Sequence, residues 1–160
     1  MSHSEPVNDR AVVAALLGRE PRAAFDVVVR RTDTGAPVVI RNAPLLDDGT
    51  PMPTRYWLVD PDLNDAVARL EAAGGVRQAE ADVDPFDLEA AHLAYAAERD
   101  AALLPEHAGP RPGGGVGGTA RGVKCLHAHY ANLLAGNDDP VGRWVASRVG
   151  APEVIVEATP

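Results

Sequence analysis

The sequence has little cysteine and few aromatic residues, and it lacks any long apolar run. A single cysteine cannot form an internal disulfide, which suits a reducing compartment and predicts a cytoplasmic protein. No stretch reaches the roughly 18 apolar residues that a membrane span requires, and the first residues lack the features of a signal peptide. Because aromatic residues make up only 4% of the chain, Val and Leu must supply most of the core.

Basic residues are outnumbered, with 15 Lys and Arg against 23 Asp and Glu, and the formal net charge is −8. This balance argues against non-specific binding of nucleic acid, which requires a basic surface. Any site for an anion must therefore rely on a local group of basic residues. The length of 160 residues predicts a single domain over residues 1–160, and the sequence leaves a protein partner or a homo-oligomer open.

Short β-branched runs predict a small antiparallel sheet. Residues 25–30 and 38–41 flank turn-forming residues at 32–35, so they predict a hairpin. Residues 54–59 predict a third strand, and the tail at residues 153–157 supplies a fourth candidate.

Asp-Pro pairs mark three helix starts, since Asp is a good N-cap and Pro suits the first helical position. These starts are at Asp60, Asp84 and Asp139. A short helix near the N-terminus and another from about residue 121 to 135 bring the total to about five helices. The sequence thus predicts an α+β fold in which about five helices cover a small sheet of three strands, or four with the tail.

A loop rich in Gly and Pro is predicted at residues 107–118, with five glycines between residues 113 and 118. Glycine amides followed by a helix N-terminus and two cations could bind an anion such as phosphate or a nucleotide. The residues of this predicted anion site are Gly114, Gly115, Gly117, Gly118, Arg121 and Lys124. The pattern is neither a Walker P-loop nor a dinucleotide fingerprint, so it carries no nicotinamide or flavin signature.

The following helix carries the one cysteine of the chain. In a regular helix from residue 121 to 135, Cys125 and His129 are one turn apart and can meet, while His127 faces away. Three interpretations of this pair stay open: a metal site, a thiol nucleophile, or a packed cysteine beside a hydrogen-bonded histidine, the last being the default. Further metal ligands would have to come from His92, His107, Asp60 or Asp138, although His92 itself reads as a core histidine.

Two functional hypotheses follow from these features. The first is a small binding or regulatory protein whose anion site is the glycine loop and the start of the helix. The alternative is an enzyme that uses Cys125 and His129, either as a thiol nucleophile or as metal ligands. No Ser/His/Asp or paired-carboxylate pattern favours a particular reaction.

Four segments of the chain resemble the DUF501 family, a group of actinobacterial proteins of unknown function. They are LGREPR (Leu17–Arg22), DGTPMPTRYWL (Asp48–Leu58), LEAAGG (Leu70–Gly75) and GVKCLHAHYANLLAGNDDPVG (Gly122–Gly142). The resemblance implies a Cys-Pro-Cys-Gly turn and a Thr-Cys-Pro segment in typical members, which with Cys125 would give four thiolates for zinc or an iron–sulfur cluster. This chain reads Thr32–Gly35 and Val59–Pro61 at those places, so a four-thiolate site cannot form in it.

Overall fold

A computed structural model describes residues 8–157 and contains one four-stranded antiparallel sheet. The strands are β1 (Phe25–Arg31), β2 (Pro37–Asn42), β3 (Tyr56–Leu58) and β4 (Val154–Val156). Their order across the sheet is β3-β2-β1-β4, with the predicted hairpin at its centre. The tail forms the fourth strand by pairing with β1, as the sequence predicts.

Helices occupy most of the remaining chain. They are α1 (Asp9–Leu17), α2 (Pro61–Ala72), α3 (Gly75–Asp82), α4 (Pro85–Ala101), α5 (Leu126–Leu134) and α6 (Pro140–Val149), with a short 3₁₀ turn at Val116–Gly118. The predicted α+β class is confirmed, with six helices where about five were expected. Between residues 8 and 157, none of the helices is long and apolar enough to cross a membrane.

The three Asp-Pro helix starts are all present, because each aspartate caps its own helix. Asp60 accepts from the amide of Leu63 at 3.0 Å, and Asp84 accepts from the amide of Phe86 at 2.8 Å. Asp139 accepts from the amide of Gly142 at 2.9 Å. Each carboxylate satisfies an amide that the first turn of a helix leaves free, so these boundaries are fixed by local chemistry.

The main core lies between the sheet and helices α2, α4, α5 and α6. Its fully buried side chains include Val29, Val38, Val39, Val67, Leu126, Tyr130, Val141 and Val145. A separate small cluster joins Val13 of α1 to the sheet through Val27, Ile40 and Val59. As the composition predicts, both clusters are mainly aliphatic, and the main core packs α5 against the edge strand β3.

The sequence prediction missed one helix, because the glycine pair after α2 makes a corner between two helices. Gly74 adopts φ +89° and turns the chain, and α3 begins at Gly75 immediately afterwards. A Cβ on Gly75 would lie 2.6 Å from the carbonyl oxygen of Leu70. The second glycine therefore permits close packing of α3 on α2, whereas the prediction took the pair as a helix end alone.

The helix that carries the histidines is shorter than predicted, since α5 begins at Leu126 and not near residue 121. Gly122 adopts φ +65°, and Cys125 is the extended N-cap residue. The amides of Val123 and Leu126 bond to the carboxylates of Glu80 and Glu71. These contacts from distant helices hold residues 122–125 in an irregular conformation and set the start of α5.

Candidate functional site

Three potential metal-ligating side chains converge where α5 begins beside α2. They are Glu71, Cys125 and His127, whose ligand atoms all lie within 4.8 Å of one another. The Nδ1 atom of His127 lies 2.7 Å from Oε1 of Glu71 and 3.9 Å from Sγ of Cys125. All three residues are partly buried, so their donor atoms are sheltered but reachable. We call this group the Glu71–Cys125–His127 cluster.

Backbone contacts fix the orientation of two members of the cluster. The backbone carbonyl of Asn64 lies 3.2 Å from Nε2 of His127 and can only accept, so Nε2 carries the hydrogen and Nδ1 faces the cluster. The Oε2 atom of Glu71 accepts from the amide of Leu126 at 3.2 Å, which leaves Oε1 directed at the histidine. The carboxylate also lies at the positive end of α5, where a negative charge is stabilised.

The surroundings of His127 favour its protonated form. The contact with Cys125 raises the pKa of His127, burial opposes this, and the charge of Glu71 and the Asn64 carbonyl raise the pKa further. With acceptors beside both ring nitrogens, the imidazolium can donate two hydrogen bonds. A cation other than a proton could occupy the same position between the carboxylate and the thiol.

The cluster opens into a cleft between β3 and α5 with a volume of about 220 Å³. Apolar and aromatic side chains make up much of its wall, and Lys124 stands exposed at its edge. The lining residues are Leu17, Thr54, Tyr56, Trp57, Leu58, Gly117, Lys124, Cys125, His127 and Ala128. A molecule in this cleft would therefore lie against Cys125 and His127.

The structure places His127 beside Cys125, whereas His129, the residue that the sequence predicts there, is bonded to Asp139. Because α5 begins only at Leu126, Cys125 does not share a helical stripe with His129. The cluster also draws its third ligand from Glu71, and not from His92, His107, Asp60 or Asp138 as the sequence suggested. Glu71 lies in the LEAAGG segment, which is the one sequence signal that could have drawn attention to it.

His129 belongs to a separate buried network. Its Nδ1 atom donates to Asp139 at 2.8 Å, and both side chains are fully buried. The Asp139 carboxylate also accepts from the side-chain amide of Asn132 at 3.0 Å and caps α6. This network joins α5 to α6. Because Nδ1 of His129 is bonded to Asp139, it does not face the cleft, and the contacts of His129 indicate a structural role.

The glycine loop is anchored from α4 by two buried side chains. Arg99, only 1% exposed, donates to the carbonyls of Pro53 at 3.1 Å and Gly114 at 3.0 Å. The Nδ1 atom of His92 accepts from the amide of Val116 at 3.0 Å, and its Nε2 donates to the carbonyl of Gly122. Burial is the main cause that lowers the pKa of His92, which keeps the ring neutral for this pair of bonds. His92 is thus the hydrogen-bonded core histidine that the sequence predicts.

The residues of the predicted anion site fall into two groups. Gly117 and Lys124 line the cleft beside Cys125, whereas Gly115 is packed against His92. Gly114 offers its carbonyl to Arg99, and Gly118 and Arg121 lie exposed nearer the surface. Several amides in the segment are already bonded, those of Gly115, Val116, Gly118 and Val123 among them. Only the first group therefore lies near the Glu71–Cys125–His127 cluster.

Close packing at Gly115 gives a testable consequence. A Cβ at this position would lie 2.6 Å from both Cβ and Nδ1 of His92, so Gly115→Ala must displace the ring and weaken its bond to Val116. We expect a loss of about 2 kcal/mol in the free energy of unfolding, measured in urea. Gly113→Ala is the matched control, since no atom of residues 8–157 outside its chain neighbours lies within 4 Å of its Cβ. Equal stability of the two variants would contradict this packing.

A wider cleft of about 500 Å³ lies along β1, away from the cluster. Its charged side chains are largely paired with one another. Arg30 bonds to Asp9 and Glu157, and Arg41 pairs with Asp26. This cleft is thus larger than the one beside the cluster, but the charged side chains that could hold a polar ligand are already paired with one another.

The four-thiolate group implied by the resemblance does not fit this chain. Cys125 is the single cysteine. Asp60, in the Val59–Pro61 segment, forms an ion pair with Arg31 at 2.5 Å and caps α2. Asp60 thus contributes a carboxylate that pairs with Arg31 and caps α2.

Fold and site together define a small α+β protein with a Cys/His/Glu cluster at the side of a cleft. The family described as protein of unknown function (DUF501) matches residues 28–147, which is most of the chain. The protein therefore belongs to the DUF501 family. No curated protein and no solved structure matches it.

Proposed function

We propose that the protein binds one divalent metal ion, of which zinc is the best candidate, through Glu71, Cys125 and His127. The observation that carries the proposal is the convergence of a thiol, an imidazole nitrogen and a carboxylate oxygen within 4.8 Å. These three donor types are the ones that zinc takes in proteins. The 2.7 Å and 3.9 Å separations around Nδ1 require only small side-chain shifts to admit an ion.

The contacts around the cluster support this proposal. A histidine that binds a metal through one nitrogen usually donates the other N–H to a carboxylate or a backbone carbonyl. His127 makes such a bond to Asn64, and Glu71 is oriented by the amide of Leu126. The ligands are thus pre-positioned by α2 and α5, so little ordering is needed when an ion binds.

Three protein ligands suggest a reactive metal rather than a structural one. Structural zinc sites are closed by four protein ligands, whereas catalytic sites keep a fourth position for water or substrate. The cleft adjoins Cys125 and His127, so the open position would face it. Glu71, Cys125 and His127 would hold the ion, and the ion would supply Lewis-acid chemistry at the position left open towards the cleft. Metal-assisted catalysis is therefore the activity we propose.

A metal-free thiol nucleophile is the second candidate. It is favoured by the 3.9 Å contact at the N-terminus of α5 between Cys125 and His127, whose pKa is raised by that contact and by the charge of Glu71. Both candidates use the same cleft, and they differ in the effect of metal. If the thiol acts alone, zinc would inhibit by blocking it, whereas a metal enzyme would require the ion.

Zinc binding by metal-depleted protein tests the proposal. Equilibrium dialysis is expected to give one zinc per chain for the wild type. Cys125→Ser and His127→Gln should each weaken binding by more than the roughly 10–100-fold typical of a lost outer-shell contact. His107→Gln is the matched control, because His107 bonds to the carbonyl of Pro110, outside the cluster. Substoichiometric zinc, or equal affinity in all variants, would contradict the proposal.

The pH dependence of zinc binding gives a second readout in the same experiment. Zinc must displace the proton from Nδ1 of His127, whose folded-state pKa is raised above the ordinary 6.5. Protonation of His127 therefore opposes zinc binding at pH values below its folded-state pKa. The affinity for zinc should keep rising as the pH is increased past 6.5. His107→Gln should retain this dependence.

The anion site predicted at the glycine loop remains a proposal for the residues that reach the cleft. Lys124 and Gly117 are the two that do so. The carboxylates of Glu71 and Glu80 already accept from the amides of Leu126 and Val123. An external anion that bound these amides would have to displace the two carboxylates. An anion is therefore better placed inside the cleft than across the helix N-terminus.

A further inference from the structure

The cleft beside the Glu71–Cys125–His127 cluster also indicates what kind of molecule it accepts. We infer that its ligand is a small monocarboxylic acid, whose carboxylate lies between the bound metal and Lys124. This inference rests on the proposed metal site and adds the ligand class to it. Three features carry it: the formal charge of the site, the apolar wall and the size of the cleft.

Charge favours a monoanion. A divalent ion bound by one thiolate and one carboxylate is formally neutral, so the cation that remains at the cleft is Lys124, which lines it and is exposed. A carboxylate carries one negative charge, whereas a phosphate group carries about −1.5 to −2 at pH 7. In a chain of net charge −8, a site with one excess positive charge suits the monoanion better.

The apolar part of the lining favours an apolar body on the acid. Leu17, Trp57, Leu58 and Ala128 are among the residues that line the cleft. The guanidinium of Arg19 packs over the ring of Trp57, with its central carbon 5.6 Å from the ring centroid. A short alkyl chain can therefore pack against fixed apolar surface while its carboxylate faces Lys124.

The volume limits the size of the acid. At about 220 Å³, the cleft is smaller than the roughly 300–1,000 Å³ pockets that hold drug-sized ligands. A nucleotide is too large for this space, and it carries more negative charge than one lysine can balance. The ligand class is thus a short-chain acid, and a phosphate ester is the alternative that the test must separate.

Cobalt-loaded protein tests the inference, because Co²⁺ takes zinc ligands and its visible absorption reports a change at the open position. The full chain would first be checked for one Co²⁺ per chain and then titrated with acetate, butyrate and inorganic phosphate. We expect acetate and butyrate to change the spectrum, with roughly fourfold tighter binding for each added methylene that is buried. Phosphate should bind no more tightly than acetate.

Lys124→Gln and Arg121→Gln form the matched pair of variants. Both residues are exposed cations of one segment, but only Lys124 lines the cleft. Lys124→Gln should weaken butyrate binding about tenfold without changing Co²⁺ stoichiometry, and Arg121→Gln should leave both unchanged. A tenfold change corresponds to about 1.4 kcal/mol, a magnitude reasonable for one charged contact.

The outcomes separate this inference from the metal proposal. Loss of Co²⁺ binding in the wild type would overturn both together. Stoichiometric Co²⁺ with a spectrum that no acid changes would overturn the inference alone, as would tighter binding of phosphate than of acetate. Equal butyrate affinity in the two variants would overturn the role of Lys124 and with it the charge argument.

Discussion

Asp139→Ala is expected to lower the free energy of unfolding by about 3–5 kcal/mol, because it removes the acceptor of three buried hydrogen bonds. The carboxylate is fully buried and accepts from His129, Asn132 and the amide of Gly142. Alanine would leave all three donors without an acceptor in the interior, and each such group costs about 1–3 kcal/mol. Urea unfolding followed by far-ultraviolet circular dichroism measures the loss.

Asp138→Ala is the control for this variant, since Asp138 is adjacent but exposed and pairs with Arg143 at the surface. An exposed pair contributes little, so the change should stay within about 1 kcal/mol. Asp139→Asn should fall between the two, because its oxygen can still cap α6 while its amide faces the donor nitrogen of His129. If Asp139→Ala were no more harmful than Asp138→Ala, the buried network would not stabilise the protein.

Arg99→Met has the second largest expected effect. It should lower the free energy of unfolding by about 3 kcal/mol. Methionine can fill the space of the aliphatic stem, but it removes the donors to the carbonyls of Pro53, Gly113 and Gly114. Partly buried carbonyls that lose a charged donor are costly, and the glycine loop would lose its attachment to α4 through Arg99. We therefore expect faster hydrogen exchange at the amide of Val116 as well as lower stability.

Arg111→Met is the matched control for Arg99→Met, because Arg111 is an exposed arginine in the segment leading to the same loop. Its replacement should change stability by less than about 0.5 kcal/mol. Unchanged exchange at Val116 in Arg99→Met would show that His92 alone holds the loop. That result would contradict the anchoring role assigned to the guanidinium.

The fold was predictable wherever short segments decide the structure. The hairpin depends on β-branched runs around Thr32–Gly35, and the helix starts depend on Asp-Pro pairs that cap their own first turns. The tail strand followed from its alternation of Val and Ile, and the structure pairs it with β1. Each of these signals lies within about ten residues of the structure it specifies.

The site was only partly predictable, because distant contacts decide where α5 begins. The sequence identified Cys125, but a regular helix from residue 121 placed His127 on the wrong side. The amides of Val123 and Leu126 instead bond to Glu80 and Glu71, 43 and 55 residues earlier in the chain. No local pattern encodes such contacts, so the irregular segment, and with it the pairing of Cys125 with His127, became evident only in the structure.

The glycine loop shows how a correct compositional signal can support more than one function. Five glycines in six residues permit close approach of the backbone, and this pattern predicts an anion site. In the structure the close approach at Gly115 is to His92. Gly117 is the glycine that reaches the cleft, so one loop serves both packing and the proposed site.

X-ray absorption at the zinc edge of zinc-loaded protein tests the central claim most directly, because it reports the atoms bound to the ion. The Glu71–Cys125–His127 cluster predicts one sulfur per zinc at about 2.3 Å and nitrogen or oxygen ligands at about 2.0–2.2 Å. The sulfur contribution should disappear in Cys125→Ser. A zinc shell without sulfur in the wild type, or one with several sulfurs per zinc, would contradict the proposed site.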